Sequence, residues 1–298
     1  MKKILFVYNP VAGTGVINNY IKQFKKTISD RGDSCSFYQT KGHEKDEKLL
    51  SKKLEEGFDL VICSGGDGTM NDVISILVKN RCTVPLALIP AGSTNDYTHS
   101  LGISRDPQEA FTAAIEAKNI TKVDVGNLEG KNFMYVAAFG AFTKTTYTTP
   151  QKLKNKLGYF AYLLSAVSQL FSLPVCQLKI TAGEKTIKGK FIDGIVSNSH
   201  FVGGFKIVND KKASMNDGLL EVLLIKKPKT FFGLFPIASA FLSGKMNKRQ
   251  MISFQAKSLE IEDCTGKGID WNLDGEFGGS FVKTTIETEK HQLSIITK

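Results

Sequence analysis

Residues 61–73 read VICSGGDGTMNDV, three glycines around one carboxylate, Asp67, between an apolar run and a second apolar pattern. Gly65-Gly66-Asp67-Gly68-Thr69 would set backbone N–H groups and the positive end of a helix where phosphate oxygens can approach without meeting side chains. The same spacing also reads as a tight strand-to-helix turn with Asp67 or Thr69 as helix N-cap. A carboxylate beside a polyphosphate is repulsive unless a cation lies between them or it accepts from a hydroxyl. Mg2+ removes that conflict, because it takes oxygen ligands, keeps waters and bridges carboxylates to phosphates. Asp67 therefore points to a Mg-nucleotide. Two other nucleotide signatures are absent: there is no GxxxxGK[ST], and GTGVIN at 13–18 lacks the third glycine of a dinucleotide fingerprint.

The remaining residues with chemical potential are dispersed. Asp274-Gly275 and Asp217-Gly218 lie between strand-like runs, and by spacing alone each is a hairpin-turn dipeptide. Asn95-Asp96 can form an Asx turn capping a short helix, and Asp124 can simply end a strand. His43, His99, His200 and His291 form no cluster, and the five cysteines contain no CxxC pair, so neither a zinc site nor a disulfide framework is indicated and a reducing cytoplasm is the expected compartment.

The elements that must position these groups follow from periodicity. Up to about residue 125 strand-like and helix-like stretches alternate: KILFVYN, a helix over 16–30, SCSFYQT, a charged helix over 44–56, FDLVICS, a helix over 69–80, and VPLALIP. Such alternation implies a parallel sheet covered on both faces. In the helix after the glycines, Met70, Val73, Ile74, Leu77 and Val78 share one face. From about residue 126 short β-runs separated by turn residues predict an antiparallel β-sandwich. The expected organisation is an α/β domain over 1–126 and a β-rich domain over 127–286, with a final strand, 287–298, that can return to the first. Open α/β sheets bind ligands at the carboxyl ends of their strands, where Asn9 and Thr40 fall.

Further matches extend the glycine loop into a pattern. GGDGT resembles the diacylglycerol kinase catalytic-domain family of lipid kinases and also the related NAD kinases and phosphofructokinases. NPVAGTG (9–15), PAGSTNDYTHSLGI (90–103), KVDVG (122–126), NDGLLEV (216–222) and LDGE (273–276) are similar, in order, to further motifs of the lipid-kinase family. The resemblance implies a two-domain kinase: ATP, as substrate, binds the α/β domain, the β-domain completes the cleft, and a lipid hydroxyl, diacylglycerol first among the candidates, is phosphorylated. It implies that Asp67, Asp96 and Asp124 form an acidic, water-mediated Mg2+ network, that Asp217 belongs to a structural metal-binding loop, and that Asp274 is the catalytic base with Glu276 as acidic companion. Asn9, Thr40, Gly65, Gly66, Asp67, Gly68, Thr69, Thr94 and Asn95 are the candidate nucleotide contacts. The chain departs from the family where Ser93-Thr94 shifts the usual Gly-Thr order by one step, and where Thr98-His99 stands in place of a frequent Ala-Arg. A soluble NAD kinase-like enzyme and a non-catalytic lipid- or nucleotide-binding regulator are the alternatives.

Charge distribution bears on the partner. The formal net charge is +10, but residues 130–183 hold six lysines and no acid, and residues 222–259 hold seven basic residues and no acid. The rest of the chain is net acidic. Both basic segments carry uncharged apolar stretches, 157–173 and 230–244, and greasy centres with positive flanks suit an anionic membrane surface, peripherally bound, better than nucleic acid. The first stretch, 17 residues with Ser165, Ser168 and Gln169 inside it, is at the lower limit for spanning a bilayer, so a buried or interfacial helix is expected. An exposed strand edge in the β-domain could pair two chains as a homodimer.

Overall fold

The computed structural model describes residues 1–13, 15–92, 95–140, 175–199, 201–202, 205–206, 215–243 and 246–297, of which 43, 44, 96, 201, 202, 205, 206, 231, 238, 241, 242 and 290–292 are described by their backbone alone. The chain forms two compact units: Met1–Val125 with Met215–Asp217 and Glu289–Lys298, and Gly126–Ser214 with Gly218–Thr288.

The first unit is the α/β domain. Its strands are β1 (Lys3–Tyr8), β2 (Ser34–Gln39), β3 (Leu60–Gly65) and β4 (Leu86–Pro90), with helices α1 (Asn18–Asp30), α2 (His43–Leu54), α3 (Asp67–Lys79), α4 (Asp96–Ser100) and α5 (Pro107–Glu116). β1, β2, β3 and β4 pair in parallel in the order β2-β1-β3-β4. One sheet face, with Ile4, Phe6, Ile62 and Ile89, packs on α1 and α5, where the Phe24 and Phe111 rings stack at 3.8 Å. Truncating either ring to alanine would cost about 3–5 kcal/mol. The other face, with Leu5, Val7 and Val61, meets Leu50 and Leu54 of α2 and Val73 and Leu77 of α3. Because β1 lies between β2 and β3, the crossover from β1 to β2 runs one way along the sheet and those from β2 to β3 and β3 to β4 run the other, which puts the switch point at the carboxyl ends of β1 and β3.

α3 begins two residues earlier than periodicity predicts. Gly66 is extended (φ −88°, ψ 179°) and serves as N-cap, so Asp67 takes the first helical position, where a carboxylate is favoured by the helix dipole. Its buried set is Met70, Val73, Ile74, Ile76 and Leu77. Ile76 joins the expected face and Val78 does not, because α2 covers a second flank.

The second unit is antiparallel. β5 (Asn119–Leu128) runs from the first unit into it and pairs with β6 (Lys131–Phe133). β7 (Val136–Gly140), β8 (Cys176–Ala182) and β9 (Lys185–Ser197) follow, then the small pair β10 (Phe201–Val202) and β11 (Phe205–Lys206). β12 (Leu220–Lys226) leads through a 3-10 turn, Phe231–Gly233, into α6 (Leu234–Ser243), and β13 (Met251–Ala256), β14 (Ser258–Asp263), β15 (Ile269–Leu273), β16 (Glu276–Phe281) and β17 (Lys283–Thr297) complete the chain. The order is β16-β15-β7-β9-β8-β14, with β12 bridging β9 and β13. Its core gathers Phe133, Phe139, Phe191, Val222, Ile261 and Trp271. β17 serves both units: Lys283 to Glu287 pair with β14, and Ile295 pairs in parallel with Leu86 of β4.

The stretch 157–173 lies outside the described residues. The stretch 230–244 supplies the 3-10 turn and α6. Among the described residues no helix is long and apolar enough to cross a membrane. All five cysteines are free, and burial pushes the Cys35 thiol up to about 12 and the Cys176 thiol up to about 11.

Candidate active site

In the first unit three loop backbones converge at this switch point. Asn9 ends β1: its N–H donates to Ser64 O at 2.9 Å, and its Nδ2 donates to Thr69 Oγ1 at 2.9 Å, tying β1 to the first turn of α3. Gly13 has φ 59°, and a Cβ there would stand 2.4 Å from Ala91 O. A Cβ on Gly92 would stand 2.5 Å from Gly66 Cα. Glycine at these contacts lets the loop backbones approach one another closely, as an anion-binding turn requires. Gly65 is buried under Thr69, whereas Gly68 is exposed with open space where its side chain would be.

Asp67 is half-buried at the helix start, and one of its oxygens accepts from Tyr97 N at 3.4 Å. Asn95 is 7% exposed and left-handed (φ 54°). It accepts from Gly92 N at 3.0 Å and donates to Gly92 O at 2.7 Å, so its amide clasps the loop before α4. Asn9, Gly65, Gly66, Asp67, Thr69 and Asn95 are thus brought together. Thr94 lies outside the described residues, as does the Asp96 side chain. Thr40 follows β2 and donates its N–H to Tyr8 O at 2.9 Å. His99 is exposed in α4.

Asp124 is fully buried, and its N–H donates to Met215 O at 2.9 Å, which joins β5 to the Met215–Asp217 piece of the same unit. Asp217 is half-buried in a turn completed by left-handed Gly218. Among the described residues no three His, Cys, Asp or Glu side chains come together as a metal site. Asp67, half-buried in the first turn of α3 beside the loop glycines, is a described carboxylate that fits the outer shell of a hydrated Mg2+ ion.

In the second unit Asp274 and Gly275 make the turn between β15 and β16. Both are left-handed (φ 50° and 103°), and Leu273 pairs with Glu276 across the turn, as a two-residue hairpin turn requires. The Asp274 carboxylate also accepts three backbone N–H groups: Met134 at 2.7 Å on Oδ2, and Tyr135 at 2.9 Å and Val136 at 2.7 Å on Oδ1. The turn dipeptide is therefore a hub holding the β6–β7 connection. Glu276 is exposed beside it.

Two features escaped the sequence reading. Gly13, Val16, Gly92, Asn95 and Arg105 line a cavity of about 360 Å3 in the first unit. Arg105 supplies a permanent positive charge there, has no ion pair among the described residues, and carried no motif to mark it. The second is Asp46, 3% exposed, which accepts from Tyr38 Oη at 2.7 Å and from the N–H groups of Lys41 and Gly42. It fixes the loop that follows Thr40, and burial together with this contact pushes the Tyr38 phenol up. Its only sequence signal was an acid in the first turn of a charged helix.

Residues 3–128 match the family model of the diacylglycerol kinase catalytic domain, and residues 138–297 match that of the YegS C-terminal NAD kinase beta sandwich-like domain. A diacylglycerol kinase from Bacillus subtilis (strain 168) is 30% identical over 297 residues, covering 98% of this chain and 95% of that protein. One from Staphylococcus saprophyticus is 27% identical over 292 residues, covering 97% and 94%. A solved diacylglycerol kinase structure from Bacillus anthracis superposes with a TM-score of 0.74 over 99% of this chain and 97% of that chain, at 22% identity.

Proposed function

The chain belongs to the diacylglycerol kinase family of lipid kinases, and from that premise we propose that it transfers the γ-phosphoryl group of Mg-ATP to the hydroxyl of diacylglycerol, giving phosphatidic acid, at an anionic membrane surface. The observation that carries the nucleotide half is the convergence of the Gly13, Gly66 and Gly92 backbones beside Asp67 at the sheet's switch point. This arrangement suits the triphosphate of ATP, with Asn9 and Thr69 orienting the loop; Asp67 would hold the ion that accompanies it. Mg2+, when bound, neutralises the charge that develops between the β- and γ-phosphates.

In the transfer the lipid hydroxyl oxygen bonds to the γ-phosphorus as the bond to the β,γ-bridging oxygen breaks and ADP departs. The hydroxyl proton passes to the Asp274 carboxylate. Three backbone donors hold that carboxylate at a fixed place, which matters because positioning supplies most of the catalysis in phosphoryl transfer.

The test is transfer of labelled γ-phosphate to diacylglycerol in anionic micelles, with NAD as a control acceptor. Transfer to diacylglycerol, abolished in Asp274→Asn, is expected. ATP binding without transfer to any lipid alcohol refutes the proposal, and phosphorylation of NAD reassigns the enzyme. Full activity in Asp274→Asn removes Asp274 from the mechanism.

A further inference from the structure

The cavity of about 360 Å3 in the first unit opens on the sheet face that carries α1 and α5: Ala91, which packs in the core of that face, and Pro107, the first residue of α5, both line it. Gly13 and Gly92, two of the glycines whose backbones converge beside Asp67, form its edge. Val16, Pro90 and Pro107 make the wall apolar, so the one charged side chain in the lining, Arg105, decides what the cavity can hold.

The residues around Arg105 fix its place and leave its charge free. Ser104 Oγ accepts from Asp106 N at 3.2 Å and donates to Glu109 Oε2 at 2.7 Å, and Asp106 caps α5 by accepting from Glu109 N at 2.9 Å. Both neighbouring carboxylates are thereby engaged within their own turn. Arg105 is exposed and makes no ion pair or hydrogen bond among the described residues. An unpaired guanidinium at the edge of a cavity is a planar double donor for an oxyanion. A second group lies beneath the same loops. Ser64, in β3 between β1 and β4 and on the face of Ile62 and Ile89, is fully buried, and its Oγ has no hydrogen-bond partner among the described residues. Buried hydroxyls are nearly always paired, and this one stands at the strand end from which the Gly13 and Gly92 loops diverge.

We propose that Arg105 binds a phosphate group in this cavity. The choice of phosphate among oxyanions rests on the lipid-kinase reading; the anion site itself does not. Two sources supply that chemistry, the terminal phosphate of ATP seated in the adjoining glycine loops and a free phosphate that binds beside the nucleotide, and the experiment separates them.

The experiment is calorimetric titration of the full chain with ATP, with ADP and with inorganic phosphate, the last repeated on ATP-saturated protein. If the source is the terminal phosphate, Arg105→Gln weakens ATP binding by about tenfold or more and ADP binding by less. If it is a free phosphate, ATP affinity is unchanged, and inorganic phosphate binds the ATP-saturated protein and loses about tenfold or more in Arg105→Gln. In either case Arg105→Lys, which keeps the charge but not the fork, should recover part of the loss, and Lys118→Gln, which removes an exposed charge beyond the far end of α5, should change nothing. Unchanged affinity for every ligand in Arg105→Gln, or no binding of any of them by the unmodified protein, overturns the proposal. So does an equal loss in Lys118→Gln, which makes the effect one of net charge, and so does an equal loss for ATP and ADP, which places the contact on the part the two share. If the protein binds inorganic phosphate through Arg105 but no ATP, the site stands and the kinase reading falls.

Discussion

Replacing Gly92 by alanine separates a phosphate cradle from an ordinary tight turn. The added Cβ would lie 2.5 Å from Gly66 Cα and 2.9 Å from Asn95 Oδ1, whereas carbon atoms rest about 3.5–4.0 Å apart. The two loops must part by about 1 Å, and the Asn95 amide that clasps Gly92 must tilt. Overpacking of this size costs about 1–3 kcal/mol, less than the roughly 5–15 kcal/mol that holds a domain folded, so the protein remains folded. The site suffers more, since a 1 Å misplacement of positioning groups can cost about 100-fold in rate. The comparison variant is Gly194→Ala, whose Cβ would stand 2.1 Å from the Phe139 ring in the second unit: comparable strain, in a residue that is not part of the cradle. The assays are kcat/KM for ATP at fixed lipid, ATP binding by calorimetry and thermal unfolding. Both variants should lower the unfolding midpoint, and Gly92→Ala alone should lose ATP affinity. Normal ATP affinity in Gly92→Ala, or an equal loss in Gly194→Ala, refutes the reasoning.

Asp46→Asn should raise the KM for ATP more than it lowers kcat, because an amide presents its NH2 to donors that the carboxylate accepts and releases the Thr40 loop; an unchanged KM with about 2 kcal/mol of lost stability would leave Asp46 a purely structural role. Asp263 gives a pH prediction. Burial pushes its carboxyl up, but bonds from Thr265, Gly268 and Lys267 outweigh it and hold it below the usual carboxylate range. A carboxyl depressed on folding contributes stability above its unfolded pKa and loses it as pH falls through its folded pKa. Asp263→Asn should therefore be destabilised most at neutral pH, with the gap closing below about pH 4, as followed by urea unfolding; a gap independent of pH contradicts this.

The α/β unit was legible because its signals are local. Strand runs such as LVICS and the periodicity of α3 need no tertiary partner to be recognised. Where the reading slipped, local detail or a neighbour decided: Ile76 is buried because α2 lies over it, and α3 starts at Asp67 because Gly66 takes the extended conformation of a helix N-cap. In the second unit the β-runs were visible but their partners were not. β12 pairs with β9 and β15 with β7, far apart in the chain, and those choices depend on which faces are buried together. At the site, resemblance supplied Asp67 and Asp274, while Asp46 and Arg105 act through placement, which no short motif records.

Asp274 shows why a turn signal and a catalytic signal need not compete. The hairpin requires left-handed residues, and Asp-Gly meets that requirement at little strain. Asparagine would meet it as well, so the turn does not explain the choice of aspartate. The three N–H donors do, since they converge on both carboxylate oxygens, and an amide would turn its NH2 toward at least one of them. The carboxylate is thus chosen for its acceptor capacity first, and the base proposed here would be held immobile, as in-line transfer demands. It also follows that Asp274→Asn perturbs the clasp as well as the proposed base. Its loss of activity measures catalysis only to the extent that it exceeds what the accompanying loss of stability accounts for, so the two must be measured on the same preparation.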